Sequence, residues 1–382
     1  MPGPLAGVRV LDLTRILAGP YATMMLADAG AEVLKIERPG TGDDTRGYGP
    51  PFVESADGWR ESVYFLAINR GKKSIELDFT QERDRARLYD LVREADVLCE
   101  NFRPGVMEKL GLSEERLADL NPALVVLSIT GFGDGGPDGH RSGFDQIVQG
   151  EAGIMSITGP GEGPPSKVGV PISDILAGMF GAYGVVTSLV ERARTGQGQW
   201  VRTSLLAGTI AVHTYQGTRW LVAGEVPGLG SNLHPTIQPY GAFDCADGAI
   251  NICVGSEGLW RRFAPLVGVA VDDPRFATNR DRVERVDELI AAMAPALTSA
   301  SVDEWVARLD EAGVPAGKVK TMDEVYASPQ VDHLGLVDVV EHASLGAVRL
   351  PGSPVAYSRT RRAPPLPPPT LGQHNDTGFA PR

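Results

Sequence analysis

Apolar positions along the first two hundred residues switch between the strand period and the helix period. Val8, Val10, Leu11 and Leu13 make a short buried-strand pattern, Ala18 to Ala29 a helix entered through Gly19-Pro20, and Glu32 to Glu37 a second strand. Pro20 suits a first helical turn and Gly30 a C-terminal cap. The alternation continues with a strand over 74–79, a helix over about 81–94 and a strand over 97–100. The turn Asn101-Phe102-Arg103-Pro104-Gly105-Val106 then opens a helix carrying Lys109, and 123–130 reads as a further strand. Such spacing predicts an α/β fold built on a doubly wound, mostly parallel sheet, whose ligands gather beyond the carboxyl ends of the strands. Residues 38–73 read as loop, and the glycine-rich stretch 131–136 as a connector before a short helix starting at 143–146.

After turn formers at 159–165 and a β-branched run stopped by Pro171, apolar residues recur at helical spacing: Ile175, Met179, Ala182, Val186 and Leu189. Ser173 or Asp174 is the natural N-cap of that helix. Asp174 is therefore either a helix cap or a carboxylate held ionised at an anion-stabilising helix end, as a carboxylate nucleophile requires. A strand at 200–203 and a second apolar helix over about 204–223 follow. A smaller unit begins near Pro239 with a hairpin, 240–245 and 249–254 across Ala246-Asp247-Gly248. Helices near 258–266, 283–298 and 302–311, a strand over 314–319 and a short helix at 321–327 complete it. The proline-rich tail from Ala363 reads as extended.

The first β-α-β unit is Rossmann-like and Glu37 stands where a ribose-binding acid would, but its turn, Leu13 to Gly19, lacks GxGxxG. A dinucleotide oxidoreductase is rejected on that ground. Net charge of −12, from 36 basic and 48 acidic residues, argues against a nucleic-acid or anionic-membrane surface. Arg38, Lys72, Lys73, Asn101 and Arg103 nevertheless cluster in or near loops. They are either solvated charges or a phosphate site. No apolar run reaches a membrane span, the longest (175–190) being broken by glycines. Cys99, Cys245 and Cys253 are odd in number and widely spaced, and the histidines show no HxxxH. Reduced thiols in a cytoplasmic protein, without a metal, are expected.

In order and spacing, Gly7-Val-Arg-Val-Leu-Asp-Leu-Thr14, Ala18-Gly-Pro20, Gly30-Ala-Glu-Val-Leu-Lys-Ile-Glu-Arg38, Lys73-Ser-Ile-Glu-Leu-Asp78, Glu100-Asn-Phe-Arg-Pro-Gly105, Gly143-Phe-Asp145, Arg194-Thr-Gly-Gln-Gly-Gln199 and Leu371-Gly-Gln-His374 resemble the class III CoA-transferases, a family that also contains α-methylacyl-CoA racemases. The resemblance implies a large Rossmann-like domain made from both chain ends (1–203 and 313–382), a linker at 204–238, a small α/β domain at 239–312, and an interlocked homodimer. It implies coenzyme A, as acyl-CoA, for a substrate, and Asp174 as nucleophile. It carries CoA contacts onto Arg38, Lys73, Asn101, Phe102, Arg103, Val106 and Lys109, and an acid site onto Arg15, Leu17, Phe144 and Asp145.

The racemase branch places a histidine where this chain has Phe144, and a phenyl ring cannot carry a proton. Its small-domain acid matches Asp244, a shorter side chain. Transfer of CoA between carboxylic acids is therefore favoured over racemisation or a silent CoA-binding role. The formyl-CoA member's first-loop glutamine matches Leu17, and its glycine-rich lid is not recognisable around 224–238. A C4–C6 dicarboxylate or a carnitine-like acid is a plausible substrate, with Arg15, Arg46 or His234 as candidates for a second carboxylate.

Overall fold

The computed structural model describes residues 3–56, 58–161, 163–360, 362 and 364–381. The chain divides into two compact units. The first comprises the residues up to Ile154, Val168–Gly224 and those from Pro329 onward; the second comprises Met155–Lys167 and Glu225–Ser328. The segment before Lys167 thus groups with the second unit, and the apolar helices after residue 204 with the first.

The first unit is built on six parallel strands: β1 (Arg9–Asp12), β2 (Glu32–Glu37), β3 (Lys72–Glu76), β4 (Val97–Glu100), β5 (Val125–Thr130) and β6 (Trp200–Ser204). Their spatial order is β3-β2-β1-β4-β5-β6. That is the doubly wound order, with its switch point between β1 and β4. The helices that position the site are α1 (Ala18–Asp28), α2 (Val63–Ile68), α3 (Glu82–Glu94), α4 (Asp145–Glu151), α5 (Ile172–Thr195) and α6 (Leu205–Ala211). One core cluster joins α1 and α5 to the sheet through Ala18, Ala22, Leu127, Ala177, Ala182 and Val185, while a second packs α3 on the opposite strands through Leu88, Leu91 and Val92.

Length and composition would let α5, at 24 residues, cross a membrane, so the expectation that no run is long enough is corrected. In this unit its small residues instead let it lie close on α1. A Cβ at Gly178 would stand 2.6 Å from the Ala18 carbonyl oxygen. Gly178→Val should therefore force α5 off α1 and cost about 1–3 kcal/mol, measured as a lowered urea midpoint; an unchanged midpoint would contradict the contact.

Several sequence readings need correction. Residues 38–73 hold a 3₁₀ turn, a two-stranded ribbon (Phe52–Glu54 with Arg60–Ser62) and α2. The strand expected at 74–79 starts at Lys72, whose ammonium is buried on Asp12 (3.0 Å). The helix expected over 204–223 breaks at Val212-His213, where Thr214 takes φ +46°, into α6 and Thr214–Ala223. A hairpin at Val337–His342 and Gly346–Pro351 packs Val340 and Leu350 on Leu66 of α2. Glu162 and Ala363, within stretches read above as turn and extended tail, lie outside the described residues.

The Leu371-to-His374 motif has a structural task. The His374 backbone N–H donates to the Ser74 carbonyl (2.9 Å), the Ser74 N–H to His374 Nδ1 (3.1 Å), and the Glu76 N–H to Asn375 Oδ1 (2.8 Å). The chain end thus covers the edge of β3, which would otherwise be open to pairing with another strand.

In the second unit an antiparallel sheet (Tyr240–Asp244, Ala249–Cys253 and Ala316–Lys318) packs against helices around Trp260, Phe263, Phe276, Met293, Trp305 and Leu309. The helix expected at 283–298 runs over Val286–Leu297 and is preceded by a separate short helix, Asn279–Glu284, which opens on a capping box formed by Thr278 and Asp281.

Candidate active site

The loops leaving β1 and β4 meet at the switch point and are tied to each other. Asn101 Oδ1 accepts from the Arg15 N–H (2.8 Å), and Asn101 Nδ2 donates to the Arg15 carbonyl (2.7 Å). Ile16 next to it takes φ +67°, which a β-branched residue adopts only under constraint. Its N–H is held by Asp43 Oδ1 at 3.2 Å. Asp43 is in turn fixed by Lys35 (2.8 Å), both side chains being fully buried. Asp12, beneath the loop, receives Lys72 and the hydroxyls of Thr14 and Thr23. Burial alone would raise its carboxyl, but Lys72, Lys35 and the two hydroxyls outweigh burial and bring it to about 2. Removing one partner of such a buried pair costs about 3–5 kcal/mol. These charges are scaffold under the loop, and Lys72 is not a phosphate ligand.

Beyond the strand ends lies a cavity of about 590 Å³, within the range of small-molecule sites. Its walls include Arg15, Leu17, Asn101, Phe102, Arg103, Val106, Phe144 and Asp174. The structure therefore brings together eight of the twelve residues that the sequence nominated. Lys73, near the amino end of β3, is paired with Glu32 at 2.6 Å, so it does not reach the crevice. Arg38 pairs with Asp44; Asp44 itself lines the cavity. Lys109 lies one turn from Val106 on a short helix, on the same face. Arg46 is committed to Glu37 and Glu61 and stacks on Phe65, so it offers no site for a substrate carboxylate.

Asp174 is neither the cap nor an ordinary ionised acid. Helix α5 begins at Ile172, which puts Asp174 in its first turn, and Pro171 occupies the cap position without a side-chain bond. The capping carboxylate comes from Asp145 on α4. Its Oδ1 accepts the Ser173 N–H at 2.9 Å, and its Oδ2 accepts from Gln149 Nε2 at 2.7 Å. Gln149 Oε1 holds the Val168 N–H at 2.8 Å, so α4 clamps the approach to α5. Asp145 thus stands behind the cavity wall. Burial first, and the charge of Asp145 second, push the Asp174 carboxyl up to about 7.

Sequence reading missed Tyr48 and Tyr64. Tyr48 lines the cavity and packs edge-on against Tyr64 (5.6 Å between ring centroids). Burial, then Asp174, raise the Tyr64 phenol to about 12. Both stand in the segment taken for loop, and a six-residue helix leaves too little periodicity to find Tyr64. The 131–136 connector also contributes: Gly131 lines the cavity, and a Cβ on it would meet Gly143 Cα at 2.5 Å.

A doubly wound sheet with a ligand-sized cavity at its switch point is the layout of an α/β enzyme. The chain matches CoA-transferase family III over residues 5–375, and it belongs to that family. It is 42% identical over 377 residues to a succinate–glutarate CoA-transferase of Agrobacterium fabrum, covering 97% of this chain and 94% of the other. It is 40% identical over 359 residues to an acetyl-CoA:oxalate CoA-transferase of Acetobacter aceti, covering 93% and 90%. Among solved structures, a CAIB/BAIF family protein from Brucella suis superposes with a TM-score of 0.89 at 38% identity, covering 98% of both chains. The protein is a CoA-transferase acting on CoA thioesters and carboxylic acids.

Proposed function

We propose that Asp174 is the nucleophile through which CoA passes. Its carboxylate attacks the donor thioester carbonyl, giving an aspartyl–acyl anhydride and CoA thiolate. The thiolate attacks the aspartyl carbonyl, forming an aspartyl-CoA thioester and releasing the donor acid. An acceptor carboxylate displaces CoA from Asp174 as a new anhydride, and the thiolate then takes the acceptor acyl group and frees Asp174. Each step exchanges one acyl bond for another, and the acids enter as anions, so no proton shuttle is required. The observation that carries this reading is that the Asp174 carboxylate shares the wall of the switch-point cavity with Phe144, which stands at the racemase branch's histidine position. Burial beside Asp145 makes Asp174 more basic, hence more nucleophilic once ionised.

On this reading Asn101, Phe102, Arg103 and Val106 line the path of CoA, Lys109 and Arg38 are further cations for its phosphates, and Arg15, Leu17 and Phe144 face the acid. Asp145 positions Asp174. Dicarboxylic acids are the substrates favoured here, supported by the glutarate and oxalate in relatives' names. Assembly as an interlocked homodimer is supported by a second, apolar cavity of about 890 Å³ lined by Tyr21, Met25 and Ile175 and by exposed Tyr183, Leu221 and Val222. Buried Cys99 and Cys245 accord with a reducing, cytoplasmic setting.

His140 also lines the cavity, which leaves proton abstraction as a second reading. Both are tested together. Incubation with acyl-CoA and hydroxylamine should leave a hydroxamate on Asp174, located by peptide mass spectrometry. Incubation with acyl-CoA in deuterium oxide without acceptor should leave the α-carbon unlabelled. Label there, without hydroxamate, would replace the proposal with a racemase.

A further inference from the structure

We propose that Arg15 selects the acid, its guanidinium taking the far carboxylate of a dicarboxylate whose near carboxylate reacts at Asp174. The inference rests on Asp174 being the nucleophile. Arg15 is half-buried in the wall of the same cavity, its guanidinium 5.5 Å from the centre of the Phe102 ring. Among the described residues that guanidinium makes no hydrogen bond and no ion pair. Arg38 has Asp44, Arg46 has Glu37 and Glu61, and Arg141 has Glu151; Arg103, which has no ion pair among the described residues either, is exposed where Arg15 is half-buried. Burial first, then the nearby Arg38, disfavour the Arg15 charge and outweigh the attraction of Asp44 and Asp43, neither of which is bonded to it; a directly bound carboxylate would offset that balance.

The cation is also held in place before any substrate arrives. Asn101 grips both backbone polar groups of Arg15, and Asp43 grips the left-handed Ile16. A side chain presented from so constrained a loop loses little freedom on binding. The same loop runs into Ala18, whose carbonyl abuts Gly178, one turn along α5 from Asp174. Arg15 thus belongs to the nucleophile's end of the cavity. The phosphates of CoA do not, because the pantetheine arm separates them from the reacting sulfur; the exposed Arg103 and Lys109 suit them better. A monocarboxylate in this cavity would leave the Arg15 guanidinium without a bonded anion. A site built around a buried polar partner discriminates strongly against ligands that lack it.

The test uses the full-length protein with acetyl-CoA as donor, a panel of straight-chain diacids of three to six carbons, and monoacids of the same lengths. In an exchange that proceeds through an enzyme-bound intermediate, kcat/KM for the acceptor reports the acceptor half-reaction alone. Wild type should prefer diacids. Arg15→Met should lower the diacid-to-monoacid ratio of kcat/KM on the order of 10²-fold, and Arg15→Lys should restore part of it. Two results would overturn the proposal: a wild type that uses no diacid or prefers monoacids, or a ratio unchanged in Arg15→Met, including an equal fall for both acids accompanied by a raised KM for acetyl-CoA. Hydroxamate formation on Asp174 of the wild type separates the two readings. Its presence with an unchanged ratio defeats only the role of Arg15, and its absence defeats the nucleophile on which that role rests.

Discussion

Asp174→Asn should be inactive and, above neutral pH, more stable than the protein it replaces. Activity falls because the bond-forming oxygen is lost; removal of a nucleophile costs on the order of 10⁴-fold or more in turnover. CoA affinity should change little, since the carboxylate's interactions with substrate are made during reaction. The stability gain follows from burial. The folded carboxyl titrates near 7, against an ordinary value of 3.8. Between those values the folded chain binds more protons than the unfolded one, so this group's contribution falls as pH rises, and its full penalty persists above 7. At about 1.36 kcal/mol per pH unit the ceiling is near 4 kcal/mol, and solvent at the cavity wall reduces the expected difference to about 2 kcal/mol. Urea midpoints of the two proteins should therefore converge near pH 4 and separate by pH 8, with the variant higher. A variant less stable at pH 8 would show that the acid is satisfied by its surroundings and not strained by them.

That strain was invisible in sequence, which offered Asp174 as a cap or as an acid held ionised. The partner that decides the matter, Asp145, is twenty-nine positions earlier, and only the fold brings its oxygen to the Ser173 N–H. Elsewhere the strand–helix alternation was legible: β2 and β4 run over the residues expected of them, held by Val33, Leu34, Ile36, Val97 and Leu98 even though β2 also buries Lys35 and Glu37. It was lost where too few buried apolar positions mark the strand. In the Val337–His342 strand the buried positions are Asp338, Val340 and His342, while Val339 is 60% exposed. Asp338 is tolerated there because Arg362 binds it at 2.9 Å. Lys72 shows the same inversion, a lysine read as a loop cation that closes an internal ion pair at the start of β3. The cavity residues were found through motif order more than through periodicity, which explains why Tyr48 and Tyr64, outside any motif, escaped.

Replacing Asp145 by asparagine should shift the pH dependence of the first chemical step. Hydroxamate formation from acyl-CoA consumes ionised Asp174 once per enzyme, so its second-order rate constant in acyl-CoA should rise with pH through a limb near 7 in the wild type, reporting the free enzyme. Asp145→Asn keeps an oxygen for the Ser173 N–H but removes the negative charge behind Asp174. Burial is the larger cause of the raised pKa and remains, so the limb should move down without returning to the ordinary range. Other groups around Asp174 are unchanged in the variant: Arg15, Asp44, His140 and Arg141 line the same cavity, and Tyr64, titrating near 12, stays neutral across the profile. On the alkaline plateau the variant should be slower, because a less basic carboxylate attacks the thioester less readily. Below pH 6 it should be the faster of the two, because a larger fraction of Asp174 is ionised. Crossing profiles of this kind cannot come from a merely loosened α4, which would lower the rate at every pH and leave the limb where it was.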